Sequence, residues 1–418
     1  MMKSYTLISN IKMLAGILDK NISLKKGAEM GVLNTIENAY LIIENDCIFG
    51  FGKMEDLNEG LQDIKISHEI NANNGMVLPA FVDSHTHLVF ANWREEEFEM
   101  RIKGKSYEEI AAAGGGILNS AKKLQSMSQD ELFIKALERL NQVIKQGTGA
   151  IEIKSGYGLT VHDELKMLRV ISQLKSVSPI PIKATFLGAH AIPAEYKNNR
   201  KGYIDLIINE MLPIIAKENL ADYFDVFCDQ GFYTVEETGV LLTAAAKYNL
   251  KPKIHANELG YTGGVQVGVK HHALSVDHLE YTGKDEIDCL LNSNTMPVGL
   301  PNCSFFLGIP YMPARAMIDA GLPVCLASDY NPGSSPNGRM GFVVSLACTQ
   351  MKLTPEEAIN ATTINGAYAI ELSETHGSIT IGKKANLIIT KSVSSLAFLP
   401  YNFGNDSVES VLMNGKVY

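Results

Sequence analysis

The chain has 418 residues, 46% of them hydrophobic and 20% charged, with a formal net charge of −9. That length exceeds one small domain and fits a barrel of about 250 residues plus a smaller unit. The acidic balance and the lack of a dense Lys/Arg run exclude a nucleic-acid surface, and no apolar run reaches the roughly 18 residues that span a bilayer. The six cysteines, Cys47, Cys228, Cys289, Cys303, Cys325 and Cys348, are scattered without a Cys-x-x-Cys pair. They read as reduced core residues, and the N-terminus lacks a continuous apolar signal core. A cytoplasmic protein with a small-molecule substrate, no nucleic acid and no membrane is the expectation.

Residues 1 to about 75 read as strands and turns. The runs 39–44 and 47–52 are β-type, joined by Asn45-Asp46 as a hairpin turn. The next run, Met76-Val77-Leu78-Pro79-Ala80-Phe81-Val82, is a buried strand that leads into Asp83-Ser84-His85-Thr86-His87. Residues i and i+2 of a strand share a face, so His85 and His87 can grip one ion from one side. Lone Trp93 follows and reads as a packing residue.

Seven more short runs follow, at 150–154, 182–187, 223–228, 253–256, 274–277, 295–300 and 323–327, with helical or loop segments between them. Eight strands alternating with helices predict an α/β fold, a (β/α)8 TIM barrel. Helix starts support the count. Ser128 with Glu131 and Thr234 with Glu237 fit the capping box, and Thr354-Pro355-Glu356-Glu357 orders an N-cap, a first-turn proline and an acidic first turn. The C-terminus returns to short strands at 377–382, 385–390, 408–413 and 415–418. Residues 1–75 plus 377–418 are therefore expected to form one small β-sandwich-like domain, with the barrel at 76–376.

Barrel enzymes carry their chemistry at the C-terminal ends of the strands. Here those ends read His85 and His87, then Lys154–Gly158, His190, Cys228-Asp229, His255-Ala256-Asn257-Glu258, Asp277-His278 and Ser328-Asp329. Of the ten histidines, most of those in the middle of the chain fall on one rim, which scattered surface histidines would not do. Four N/O ligands suit zinc or iron, and His85, His87, His255 and Asp329 are the set chosen. A water at a further position would be made acidic. His278 and Glu258 are expected beside the ion, and His162 reads as a solvated helix residue.

The order His-x-His, His, His, Asp on strands one, five, six and eight resembles the amidohydrolase superfamily. More specific strings include Phe90-Ala91-Asn92-Trp93-Arg94, Glu152-Ile153-Lys154-Ser155-Gly156-Tyr157-Gly158, Gly188-Ala189-His190, His255-Ala256-Asn257-Glu258 and Ser328-Asp329-Tyr330-Asn331-Pro332-Gly333-Ser334. Together they resemble the imidazolonepropionases, over nearly the whole chain. The resemblance implies one zinc or iron ion on His85, His87, His255 and Asp329. It implies substrate or product contacts from Arg94, Tyr157, His190, Asn331, Gly333 and Ser334, with Glu258 at the ring, and it suggests a homodimer. Some members carry Gln at the Glu258 position. The implied reaction opens 4-imidazolone-5-propanoate to N-formimidoyl-L-glutamate, with Asp329, His278 and Glu258 handling protons. Arg94 suits a carboxylate through paired hydrogen bonds, and the Gly333 and Ser334 amides are expected to face an anion.

Three rivals remain at this point. A two-metal cyclic amidase of the hydantoinase or dihydroorotase type needs a carbamylated lysine. Lys154 is the candidate, but it falls on strand two, where such enzymes use strand four. A single-metal nucleobase deaminase shares the scaffold. A non-catalytic scaffold should have lost ligands, and every expected ligand is present.

Overall fold

Strand-forming runs from the two ends of the chain pair with each other. The computed structural model describes residues 3–61, 64–105, 109 and 115–418. Tyr5–Ile17 pairs antiparallel with Asn34–Glu44, which pairs with Cys47–Lys53 through the expected turn. Asn45 there has φ 56°, the left-handed value such turns require. The C-terminal strands Leu387–Thr390, Val408–Met413 and Lys416–Val417 extend the same sheet. The link is Met76–Pro79, parallel to Tyr5–Ile17 and antiparallel to Leu387–Thr390. Ile8, Ile11, Leu14, Leu41, Ile43, Leu387 and Ile389 bury one face of this sheet, so both termini share one core. Each such side chain stabilises by about 1.5–3 kcal/mol.

Two strand expectations change. The run 76–82 is two strands, because the chain passes from the terminal sheet to the barrel at Ala80, whose N–H donates to Asn386 O (2.9 Å). Residues 377–382 form a loop with one bridge, Ile379 to Ile17. Gly377 (φ +85°) and Gly382 (φ +90°) turn the backbone at both ends, and a strand does not continue through left-handed φ.

The second sheet is parallel. Among the described residues it has eight strands, called one to eight below: Phe81–Asp83, Thr148–Lys154, Ile182–Ala189, Tyr223–Cys228, Lys251–Ala256, Ser275–His278, Met296–Gly299 and Cys325–Leu326. Strands one and eight meet just past their ends. Asp329 N–H donates to His85 O (3.0 Å), His87 N–H to Tyr330 O (2.9 Å) and Ser328 N–H to Asp83 Oδ1 (3.0 Å). The segments that carry the candidate ligands are thus the segments that close the barrel.

Strand alternation sorts the side chains. Ile151, Ile153, Phe224, Val226, Ile254 and Val276 join the apolar core that includes the helices. Their neighbours Glu152, Lys154, Asp225, Lys253, His255 and Asp277 take the opposite face and are buried inside the barrel. The helices begin where expected. Thr234 and Thr354 form full capping boxes before Val235–Ala246 and Pro355–Thr362, while Ser128 accepts from Glu131 N–H before Gln129–Lys145.

Candidate metal centre and active site

Three imidazoles converge at the top of the barrel. His85, His87 and His255 offer nitrogens that all lie within 4.8 Å of one another. His255 Nε2 is 3.4 Å from His87 Nε2, and Asp329 Oδ1 is 3.6 Å from His85 Nε2 and 3.5 Å from His87 Nε2. All four residues are buried. Asp329 sits at φ 53°, a left-handed backbone that Asp tolerates better than most residues.

Carboxylates stand behind two of the three rings. His85 Nδ1 lies 2.6 Å from Asp277 Oδ2, and a carboxylate oxygen accepts, so the proton sits on Nδ1 and Nε2 keeps its lone pair. That Nε2 is buried with no hydrogen-bond partner. Asp225 Oδ2 stands 3.1 Å behind His255 Nδ1 as an ion-pair contact without hydrogen-bond geometry, and His87 Nδ1 is buried without a partner. Burial first, then neighbouring cations and imidazoles, holds His85 and His87 well below the usual histidine range. Three imidazoles that bring their Nε2 atoms together, that of His85 orphaned and those of His87 and His255 facing each other, are with one carboxylate the donor set that zinc or iron takes. The residues fit a cation.

Beneath the ligands lies a layer that the sequence reading did not assign. Lys154 Nζ donates to Glu152 Oε1 (2.6 Å) and Asp225 Oδ2 (2.8 Å), and stands 3.8 Å from Asp277 Oδ2. Lys253 Nζ donates to Ser84 O (3.1 Å) and to Glu152 Oε2. Burial works against the Lys154 charge, and Asp225, Glu152 and Asp277 outweigh it, so its pKa is raised. A charged ammonium in three carboxylates cannot serve as a carbamate bridge, which removes the physical basis of the two-metal rival.

His278 stands at the edge of the site, its ring centroid 5.8 Å from that of His85. Its φ of 85° is a strained backbone for a non-glycine residue, costing about 1–3 kcal/mol. The strain aims the ring between two acids: Nδ1 is 3.3 Å from Glu280 Oε1 and Nε2 is 3.6 Å from Glu258 Oε2. Burial opposes the charged ring, but those carboxylates win and hold His278 well above its ordinary value. Burial pushes the Glu258 carboxyl up. Asp329 is pushed up to about 7 by burial, with His278 pulling it back.

The other end of the site is loop-built. Arg94 caps the helix Glu95–Ile102 and lines the same cavity, of about 170 Å³, as His87, Tyr157, His190, Glu258 and Asp329. Its Nη1 is 3.8 Å from Glu97 Oε2, and its Nε is buried without a partner. The guanidinium lies on Gly333: a Cβ there would fall 1.2 Å from Arg94 Nη2. Asn331 ties this end to the metal end. Its Nδ2 donates to Asp329 Oδ2 (2.9 Å), Asp329 O (2.8 Å) and Ser334 Oγ (2.8 Å). Its Oδ1 accepts from Gly333 N–H and Ser334 N–H, both at 2.8 Å. The two amides expected to face an anion are therefore spent inside an Asx turn. His190 stacks on His87 at 5.1 Å, and its Nδ1 donates to Gly156 O (3.1 Å), which leaves Nε2 as an acceptor. Burial brings His190 down to about 3, so the ring is neutral.

The sequence-chosen residues other than His85 thus line one cavity, with His85 against His87, His255 and Asp329 at its floor, and His162 is exposed on its helix as expected. Missed were Asp225, Asp277, Glu152 and Lys253 inside the barrel, and Cys303, whose Sγ lies 3.8 Å from Glu258 Oε1. Charged residues set inside otherwise apolar strands, alternating in strands two and five and single in strands four and six, were the available signal for the first four. Cys303 left none.

A model of the amidohydrolase family matches residues 76–418. The chain belongs to the amidohydrolase family. Among this family's members it is similar to the imidazolonepropionase of Flavobacterium johnsoniae, 58% identical over 412 residues that cover 99% of each chain. The imidazolonepropionase of Christiangramia forsetii is 56% identical, covering 98% of this chain and 99% of its own. In fold the chain is similar to a guanine deaminase from E. coli, with a TM-score of 0.75, 15% identity and coverage of 100% of this chain and 99% of that one. Among the described residues, no helix is long and apolar enough to cross a membrane.

Proposed function

We propose that this chain hydrolyses the ring amide of 4-imidazolone-5-propanoate to N-formimidoyl-L-glutamate, a step of histidine degradation. One observation carries the reading: a single cavity has a cation-fitting end and, joined to it through Asn331, a guanidinium whose buried Nε has no partner. The high identity to imidazolonepropionases over the whole chain supports it. The shared fold of a guanine deaminase supports no particular ring.

In this reading His85, His87, His255 and Asp329 hold one zinc or iron ion. When bound, that ion supplies the polarisation that makes water nucleophilic near neutral pH. Arg94 takes the propionate through paired charged hydrogen bonds, with Tyr157, Ser334 and the Gly333 backbone around it. Neutral His190 accepts a hydrogen bond at Nε2, and Glu258 lies beside the ring. Asp329 takes the proton of the attacking water, and a cation beside it favours its ionised form. As the carbonyl oxygen gains charge, the His278 imidazolium, held by Glu280, donates to it. The C–N bond then breaks, and Asp329, with Glu258, returns a proton to the leaving nitrogen. A cytoplasmic homodimer completes the proposal.

The test is an assay of the holoenzyme on imidazolone propionate and on carboxylate-free rings such as hydantoin and dihydrouracil, with the ion counted by elemental analysis. Turnover of the first with formation of N-formimidoyl-glutamate, little of the others, and one ion per chain is the expected result. Preference for a carboxylate-free ring, or release of ammonia from a nucleobase, would sink the substrate assignment while leaving the metal site standing.

A further inference from the structure

A second group of metal-type donors sits beside the first. Glu258 follows strand five, His278 ends strand six, and Cys303 lies in the helix Pro301–Leu307 after strand seven. Their ligand atoms all lie within 4.8 Å of one another. Glu258 reaches both of the others, with Oε2 3.6 Å from His278 Nε2 and Oε1 3.8 Å from Cys303 Sγ. His278 is oriented from its far nitrogen by Glu280, whose Oε1 also accepts from Ser304 Oγ (3.3 Å). This repeats the carboxylate-to-imidazole arrangement that presents His85 and His255 at the main centre. Such an arrangement fixes the ring and raises its strength as a ligand.

We infer that Glu258, His278 and Cys303 form a second, inhibitory site for a soft divalent cation such as zinc or cadmium. One thiolate, one imidazole and one carboxylate are a donor set that zinc accepts, and the thiolate selects against magnesium and calcium. Three protein ligands leave a position open toward the cavity that Glu258 and His278 line. Binding releases the Cys303 thiol proton and the proton held by Glu258 and His278 to solvent, and no bond to carbon forms or breaks. The occupied site displaces the protons that His278 and Glu258 donate in the proposed hydrolysis. It also fills space beside the ring, since the His278 centroid is only 5.3 Å from that of His255. One ion therefore activates and a second one stops turnover. The main centre has no sulfur donor, so the two sites differ in their spectra.

The test loads the one-metal holoenzyme with cadmium, and separately with zinc, in buffer free of thiols and chelators. Expected is a second bound equivalent, an ultraviolet thiolate-to-cadmium band that grows with it, and loss of turnover in step with the band. Cys303→Ser should keep basal turnover, lack the band and resist inhibition over the same range. Cys303→Ala serves as a second variant if the serine form folds poorly, with the melting temperature as the check. Binding of one equivalent only, or a band and an inhibition unchanged in both variants, would overturn the inference. The band needs no substrate, so its outcome is separate from the choice of ring.

Discussion

The two ends of the cavity are built in opposite ways. At the candidate metal end acids stand behind two of the three rings, Asp277 behind His85 and Asp225 behind His255, with both acids near Lys154 and only His87 Nδ1 left without one. The supports are barrel strands, and the layer is fully buried. At the other end Arg94 comes from a loop and a helix start, meets one acid at 3.8 Å, and keeps a buried Nε without a partner. A buried, strand-built end holds its geometry whether or not substrate is present. An unsaturated end has hydrogen bonds left to give, which is what selection among rings requires. Asn331 joins the two by contacting both Asp329 and the Gly333–Ser334 turn.

The comparison breaks most completely at the ligands. His85→Ala or His255→Ala should lose the bound ion and all measurable turnover, with the circular dichroism spectrum retained. An ion still held by either variant would mean that the donor set is wrong. Asp329→Asn comes next, with kcat expected to fall about 10³-fold or more while substrate still binds, because an amide cannot take the water's proton. Near-normal kcat would move the base role to His278.

Removing the underlayer tests the strand-built end without touching a candidate ligand. Lys154→Met leaves buried carboxylates with one cation fewer, and should cost about 3–5 kcal/mol in a denaturant melt. A change close to zero would show that the network is not what holds the site. At the other end, Arg94→Ala should cost about 2–5 kcal/mol in kcat/KM for imidazolone propionate, mostly through KM, and little for a carboxylate-free ring. Equal losses on both rings would mean that Arg94 only shapes the cavity. The smallest effect is expected for Asp277→Asn, with metal affinity lowered about 10- to 100-fold by chelator competition and turnover largely restored at saturating metal.

Much of this was legible in the chain. His85 and His87 could be paired because a strand puts i and i+2 on one face, a local rule that needs no partner. Strand count and helix starts were legible for the same reason, since apolar runs and capping residues act within a few positions. The spent amides of Gly333 and Ser334 were not, although they are local. The same Asn331 that marks a turn can either frame an anion site or fill it, and only the observed hydrogen bonds decide which.

Sequence by itself determined the alternation, the barrel, the order of the candidate ligands and the family resemblance, all of which follow from short-range periodicity or from contiguous strings. Tertiary structure alone decided which inward charges meet. Lys154 finds Asp225 across 71 positions, His85 finds Asp277 across 192, and Cys303 comes to Glu258 across 45. Barrel closure brings such pairs together, and burial then makes each one matter, because in a dry interior a charge without its partner is expensive.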